Sequence, residues 1–348
     1  MAEIRICTRC VSNSTIPSIT FDEKGVCNFC HAHDRLAQMY ADPAENTKKL
    51  NELVVKIKKA GAGKDYDCIV GVSGGTDSSY TLHQAKKLGL RPLAVHFDNG
   101  WNTDQSVSNI KQLTAQLDVD LDTEVVDWEE FRNLQIAFLK ASVPCIEAPT
   151  DVAIHAALYR MADKENVKYI LGGQSFKTEG TVPREWSYLD GTYIQTIRRK
   201  FGMQKLKFYP NLSLFNVFYY TFIRGIRQVA FLNYFDYRKA DAKKFLLETY
   251  GWKDYGGHHY ENHYSRFAFG WYLPKKFGID KRIVSLSGPV RSGHMTREQA
   301  LEELKKTPDV DQNMVTYCIN KLRLPQKEYD EIFARKPLIY RDYFTSEN

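Results

Sequence analysis

The chain has 348 residues, 43% of them hydrophobic and 26% charged, with a formal net charge of +6. That length predicts about two domains and a small extra module, and the composition excludes a disordered chain. The positive charge is mild and contains no basic block, which argues against a generic nucleic-acid binder and fits a small anionic ligand.

Four of the seven cysteines lie in the first 30 residues, as the pairs Cys7-x2-Cys10 and Cys27-x2-Cys30. No signal-type apolar run precedes them, so the expected compartment is the cytoplasm, where thiols stay reduced. Two CxxC knuckles bring four thiolates into the tetrahedron that structural Zn²⁺ accepts. Gly25 suits the tight turn before the second knuckle. Four thiolates leave no open coordination position, so the metal is expected to fold a ribbon over residues 1–35 and not to catalyse. Free redox thiols and an iron–sulfur cluster are the alternatives. His31 and His33 are either substitute ligands or solvated neighbours.

Residues 34–63 read as helical, with Leu50, Leu53, Val54 and Ile57 on one face. An α/β alternation follows. Strands are predicted at 68–72, 92–97, 121–126 and 168–171. Helices are predicted at 77–88, 103–117, 128–141 and 151–165. This pattern predicts a doubly wound parallel sheet with helices on both faces, and a ligand at the C-terminal ends of the strands. The α/β domain is placed at 36–200. Beyond it, 201–348 reads as mostly helical and aromatic, with helices expected at about 296–306 and 310–322. The apolar stretch 212–235 is interrupted by Arg224 and Arg227, too soon for a membrane span. It is read as a helix, packed in the core or facing a partner.

Val72-Ser73-Gly74-Gly75-Thr76-Asp77-Ser78-Ser79 follows the first strand and opens a helix. Two glycines let the backbone approach an anion, and the turn N–H groups with four hydroxyls surround it. No Gly-Lys-Ser/Thr follows, so this is not a Walker A loop. The segment resembles the PP-loop ATP pyrophosphatases, whose signature S-G-G-x-D-S is matched by residues 73–78. The resemblance implies that the loop binds the pyrophosphate of ATP and that an acceptor oxygen is adenylylated. Asp77 would then hold Mg²⁺ or order the loop. On the same rim lie Phe97 and Asp98, beside the expected adenosine, with Asp98 either a ligand or a turn former. Gly172 and Gly173 end the later strand. Lys177 follows, either a cation for the α-phosphate or a solvated lysine.

Taken with H-F-D-N-G-W-N, E-A-P-T-D, L-G-G-Q-S-F-K-T-E-G and H-Y-E-N-H-Y-S-R-F, the cysteine ribbon and the loop make the chain resemble the N-acetyl sugar amidotransferases of the WbpG/PseA type. The resemblance runs from Cys7 to about Leu304. It implies an ATP-dependent conversion of an acetamido group of a bacterial surface-polysaccharide or nonulosonic-acid sugar into an acetamidino group. Cofactors would be ATP, Mg²⁺ and structural Zn²⁺. Position 2 is Ala and no Gly-x-Cys-x-Gly elbow occurs, so neither familiar glutaminase chemistry is expected in this chain. Ammonia is then expected from a glutaminase subunit with a barrel cyclase-like subunit, similar to those of imidazole glycerol phosphate synthase. The 215–235 segment is a candidate docking face for them. No nucleic acid or membrane is expected. His258, His259 and His263 form a cluster in which His259 is the candidate acid/base group. Sugar binding, structural packing and a metal site are all open for it. Arg266, Lys275 and Lys276 are candidate phosphate contacts or surface charges. The rival is a PP-loop tRNA thiolase, for which Cys145 is the one candidate sulfur carrier. A nucleotide sensor without turnover is the third.

Overall fold

The computed structural model describes residues 3–256, 260–306 and 311–347. The N-terminal ribbon is followed directly by α1 (Asn28–Gln38), which carries Cys30. A separate helix α2 (Pro43–Ala60) begins at an Asp42 cap, whose carboxylate accepts from the Ala44 and Glu45 amides. The region read as one helix from 34 to 63 is thus two, split at Asp42-Pro43, a helix-start signal in its own right.

The sheet is parallel, five-stranded and ordered β3-β2-β1-β4-β5. Its strands are β1 (Cys68–Gly71), β2 (Pro92–Asp98), β3 (Leu121–Val125), β4 (Tyr169–Gly172) and β5 (Arg227–Ala230). The crossovers are α3 (Thr76–Lys87), α4 (Asp104–Leu117), α5 (Trp128–Ala141) and α6 (Ala148–Lys164). Alternate strand residues serve opposite faces. Val70, Ala94 and Leu171 pack on Leu50, Ile57, Leu82 and Ile110 from α2, α3 and α4. Ile69, Val95 and Ile170 pack on Tyr159 and Ala162 of α6.

After α7 (Gly191–Phe201) the expected 212–235 helix does not form. The segment gives α8 (Leu214–Phe218), a π turn over Tyr219–Ile223, then β5 and a 3-10 turn over Phe231–Tyr234. Gly225 at φ +66 stops the helical path and redirects the chain into the sheet edge. The segment divides in burial as well. Phe215, Phe218 and Phe222 are exposed, while Phe231 and Leu232 are buried.

The remaining helices are α9 (Lys239–Tyr250), α10 (His263–Phe267), α11 (Leu273–Phe277), α12 (Arg282–Arg291), α13 (Arg297–Lys305), α14 (Gln312–Lys321) and α15 (Gln326–Ala334). The α13 start carries a Thr296/Gln299 capping box. Tyr264, Phe267, Tyr272, Val315 and Leu322 share one core with Phe131, Phe138, Tyr193 and Ile194 of α5 and α7. The aromatic C-terminal region is therefore packed onto the α/β layer. Among the described residues no helix is long and apolar enough to cross a membrane.

Candidate active site

The sheet order reverses at β1. The chain winds outward to β2 and β3, then returns to β4 on the other side. Such a switch point is where open α/β sheets bind their ligands, at the carboxyl ends of the strands. The turn after β1 and the Gly172–Gly173 pair after β4 form the floor there.

The turn is held from several sides. Gly74 sits at φ +77, and a Cβ on it would lie 2.3 Å from the Ser106 carbonyl oxygen. Its own carbonyl accepts from Trp252 Nε1 at 2.9 Å and from Asn109 Nδ2 at 3.3 Å. The Ser73 N–H donates to Ser78 Oγ at 3.2 Å. Gly173 packs against the first turn of α3, where a Cβ would lie 2.9 Å from the Asp77 carbonyl carbon. The Asp77 carboxylate accepts from the Tyr237 hydroxyl at 2.5 Å and from Lys239 Nζ at 2.6 Å. In this arrangement Asp77 orders the loop and draws Lys239 to its edge.

A cavity of about 410 Å³ opens on this floor. Val72, Ser73, Asp77, Ser78, Phe97, Gly172 and Gly173 all line it, as the sequence pattern predicts. Gly74 and Gly75 shape the turn beside it. Thr76 and Ser79 are buried within α3. Asp98 is turned away from it: its Oδ1 accepts from the Gly100 N–H at 2.8 Å and Asn102 Nδ2 at 3.1 Å. Of its two readings, the turn former is the one observed. Lys177 is not among the lining residues either, because its ammonium is taken by the Phe235 carbonyl. Burial there pushes its pKa down.

Of the histidine cluster, the described member His263 does not line the cavity. His258 and His259 lie outside the described residues. The His263 N–H donates to the Trp101 carbonyl at 2.9 Å, and its ring packs edge-on to Tyr317. That backbone pairing, with Thr103 N–H to the Glu261 carbonyl at 3.0 Å, seats Glu261 and Asn262 at the cavity instead. Arg266 lies 4.5 Å from the Tyr260 ring centroid, and Lys275 5.7 Å from that of Trp271. Lys276 donates to the Ile332 and Arg335 carbonyls that end α15. None of these three lines the cavity.

Sequence reasoning missed the wall facing the loop. Glu147 and Asp151 come from the start of α6, Ser265 from α10 and Lys281 from just before α12. Glu147 Oε2 accepts from Ser265 Oγ at 2.7 Å, while its Oε1 is buried without a hydrogen-bond partner. Burial first, then the Asp151 charge, raises the Glu147 carboxyl to about 8. Lys281 Nζ lies 4.0 Å from the Phe269 ring centroid, and burial pushes its pKa down. The E-A-P-T-D string was the available signal for Glu147. Cys145 also lines the cavity, its thiol 3.4 Å from the Tyr193 hydroxyl and its pKa raised by burial.

The four ribbon cysteines are buried, and their sulfurs lie within 4.8 Å of one another. The Cys7–Cys30, Cys10–Cys27 and Cys27–Cys30 sulfur separations are 3.9, 3.7 and 3.6 Å. Zinc with bonds near 2.3 Å has tetrahedral edges of about 3.8 Å, whereas a disulfide needs about 2.05 Å. The donor set therefore fits structural zinc. Backbone N–H groups of Arg9, Ser12 and Cys27 point at these sulfurs. Arg291 donates to Cys10 Sγ at 3.4 Å and Ser12 Oγ at 2.8 Å, offsetting thiolate charge from outside. Arg297 clasps the Cys7 and Cys10 carbonyls. His31 pairs with Asp22 and His33 with Ser292, so neither completes the set.

Residues 261–347 match the family described as LPS biosynthesis protein WbpG-like, C-terminal domain. Residues 67–168 match queuosine biosynthesis protein QueC, a PP-loop family. No curated protein matches the chain significantly. Among solved structures, the chain is similar to the NH3-dependent NAD synthetase from Campylobacter jejuni subsp. jejuni NCTC 11168 in complex with the nitrate ion. The identity is 15%, the match covers 86% of this chain and 99% of that one, and the TM-score is 0.35. It is also similar to NMN synthetase from Francisella tularensis, at 15% identity, 63% and 99% coverage and a TM-score of 0.31. The QueC match spans β1 to the residue before β4, with the whole loop. The WbpG-like match begins at Glu261 and takes in Ser265 and Lys281. Together they support an ATP-dependent enzyme of amidotransferase type, for which ATP and Mg²⁺ are implied. The two family matches support a place for this chain among the WbpG-like PP-loop ATP pyrophosphatases.

Proposed function

We propose that this protein is an ATP-dependent amidotransferase that converts an N-acetyl group of a bacterial surface-polysaccharide sugar into an acetamidino group. One observation carries the reading. The loop of the PP-loop region and the polar wall supplied by α6 and the WbpG-like region line one and the same cavity.

An amide oxygen is a poor leaving group. Attack of that oxygen on the α-phosphorus of ATP forms an O–P bond and releases pyrophosphate. Ammonia then adds to the imidate carbon, and the C–O bond breaks to release AMP. In this scheme the turn of residues 72–75 and Lys239 hold the pyrophosphate end, and Phe97 and Asn99 flank adenosine. Lys281 is the cation assigned to the α-phosphate, replacing Lys177 in that role. Magnesium would supply further charge neutralisation at the phosphates. Trp186 and Phe269 give the sugar apolar faces to pack on. Ammonia would come from a partner glutaminase with a barrel cyclase-like subunit. The exposed Phe215, Phe218 and Phe222 are the apolar surface assigned to that partner. The compartment that goes with this reading is the cytoplasm.

Incubation with ATP, an ammonium salt and a panel of UDP-linked mono- and diacetamido sugars tests this. Mass spectrometry is expected to show replacement of one acetamido oxygen by NH, with one AMP per product. No AMP with any sugar of the panel would defeat the reading. The thiolase alternative needs a reactive thiolate, and the burial that raises the Cys145 thiol disfavours one. Cys145→Ser is therefore expected to keep amidine formation. Loss of a tRNA sulfur-transfer activity in that variant would favour the thiolase instead.

A further inference from the structure

We infer that Glu147 is the base that takes the proton from ammonia as it attacks the activated amide carbon. The inference rests on the amidotransferase reading above and assigns a residue to its second half-reaction.

Two geometric features mark this carboxylate. Ser265 Oγ fixes Glu147 Oε2 at 2.7 Å and so sets the plane of the group. Its Oε1 has no hydrogen-bond partner and is withdrawn from bulk water. An unpartnered buried acceptor is costly unless something visits it. Ammonia, an N–H donor that becomes acidic on forming its C–N bond, is a visitor of the right chemistry. Glu147 lines the same cavity as the loop that is assigned to ATP, so an acceptor activated there shares that space with it.

The proton balance closes. Ammonia adds to the protonated O-adenylyl imidate and forms a C–N bond, leaving an ammonium group on a tetrahedral carbon. The Glu147 carboxylate removes one proton from that nitrogen. The C–O bond then breaks, its electron pair leaves with AMP, and the product is an amidinium ion. Glu147 returns its proton to solvent. The charged groups facing it are Asp151 on its own helix, Glu261 on the segment paired to residue 103, and Lys281 before α12. Asp151 and Glu261 raise its pKa, Lys281 lowers it, and burial outweighs them all. A base with a pKa of about 8 is well matched to this transfer near neutral pH. The sign follows directly. The carboxylate form accumulates as pH rises through about 8, so the rate per unprotonated ammonia should rise over that window.

The test separates the half-reactions in Glu147→Gln, which keeps the shape and removes the base. Pyrophosphate exchange into ATP, with the same UDP-linked acetamido sugars, reports adenylylation and correct folding together. The variant is expected to keep exchange within a few-fold. Ammonia-dependent amidine formation should fall by about 10²–10⁴-fold, and the rise near pH 8 should vanish. Glu147→Asp should restore part of the rate with a shifted profile. Exchange falling in parallel with amidine formation would overturn the assignment, as would a variant with the wild-type rate and pH profile. Wild-type protein without exchange on any sugar would defeat the amidotransferase reading itself, and this role with it.

Discussion

Gly74→Ala is expected to destroy ATP binding and to lower stability sharply, although it adds one methyl group. The position is at φ +77, which costs an L-residue about 1–2 kcal/mol. The new Cβ would also lie 2.3 Å from the Ser106 carbonyl oxygen and 2.9 Å from its Cα. These are backbone atoms at the start of α4, so no side chain can swing aside. Relief requires either the turn or α4 to move. Movement of the turn breaks the Trp252 and Asn109 bonds to the Gly74 carbonyl. A total loss of about 2–4 kcal/mol follows from strain and broken bonds together. Urea denaturation should show a lowered midpoint, and equilibrium dialysis should show no ATP bound at concentrations that saturate the wild type. A wild-type midpoint with intact binding would show that the turn is not the rigid cradle described above.

Removal of the ribbon metal is expected to be the larger structural loss. Structural zinc contributes about 10–16 kcal/mol of apparent folding free energy in isolated finger peptides. Here part of that is shared with packing against α12 and α13, so the ribbon should loosen while the sheet persists. Elemental analysis should give one zinc per chain, and Cys27→Ser should lose it. A chelator should lower the melting temperature by on the order of 10 °C. It should also turn the four ribbon thiols reactive, while Cys68, Cys145 and Cys318 stay protected by burial. A zinc-free protein with an unchanged melting curve would remove the metal from the account.

The parts of this molecule that depend on short spacings were readable without coordinates. Four parallel strands, the Gly-rich turn after β1 and the two cysteine pairs that cluster in the ribbon each lie within a few residues of their own signals. The strand β5 was not readable. It is four residues long at the sheet edge, its first two residues are exposed, and an aromatic run precedes it. Its hydrophobic pattern therefore carries no strand period. Lys177 shows a different failure. Its place after the β4 glycines is right for a phosphate contact, yet the Phe235 carbonyl captures it. Lys239, which pairs with Asp77 of the loop, and Lys281, which lines the cavity, enter from far along the chain. Local pattern has no access to such convergence. Asp98 and His263 were legible as polar groups near the site, but their hydrogen bonds spend them on turns and packing.

The ribbon's attachment has a consequence for how the protein is made. Ser12 meets Ser287 at 3.0 Å, Arg291 reaches Cys10 and Ser12, and Arg297 holds the Cys7 and Cys10 carbonyls. The ribbon is thus seated by contacts with residues 275–290 positions further along, which do not exist until that part of the chain has been synthesised. Closing so long a loop is entropically late. During elongation the ribbon can depend only on its metal for order. A nascent chain starved of zinc would present four loose thiols throughout that interval, ahead of any surface able to shelter them.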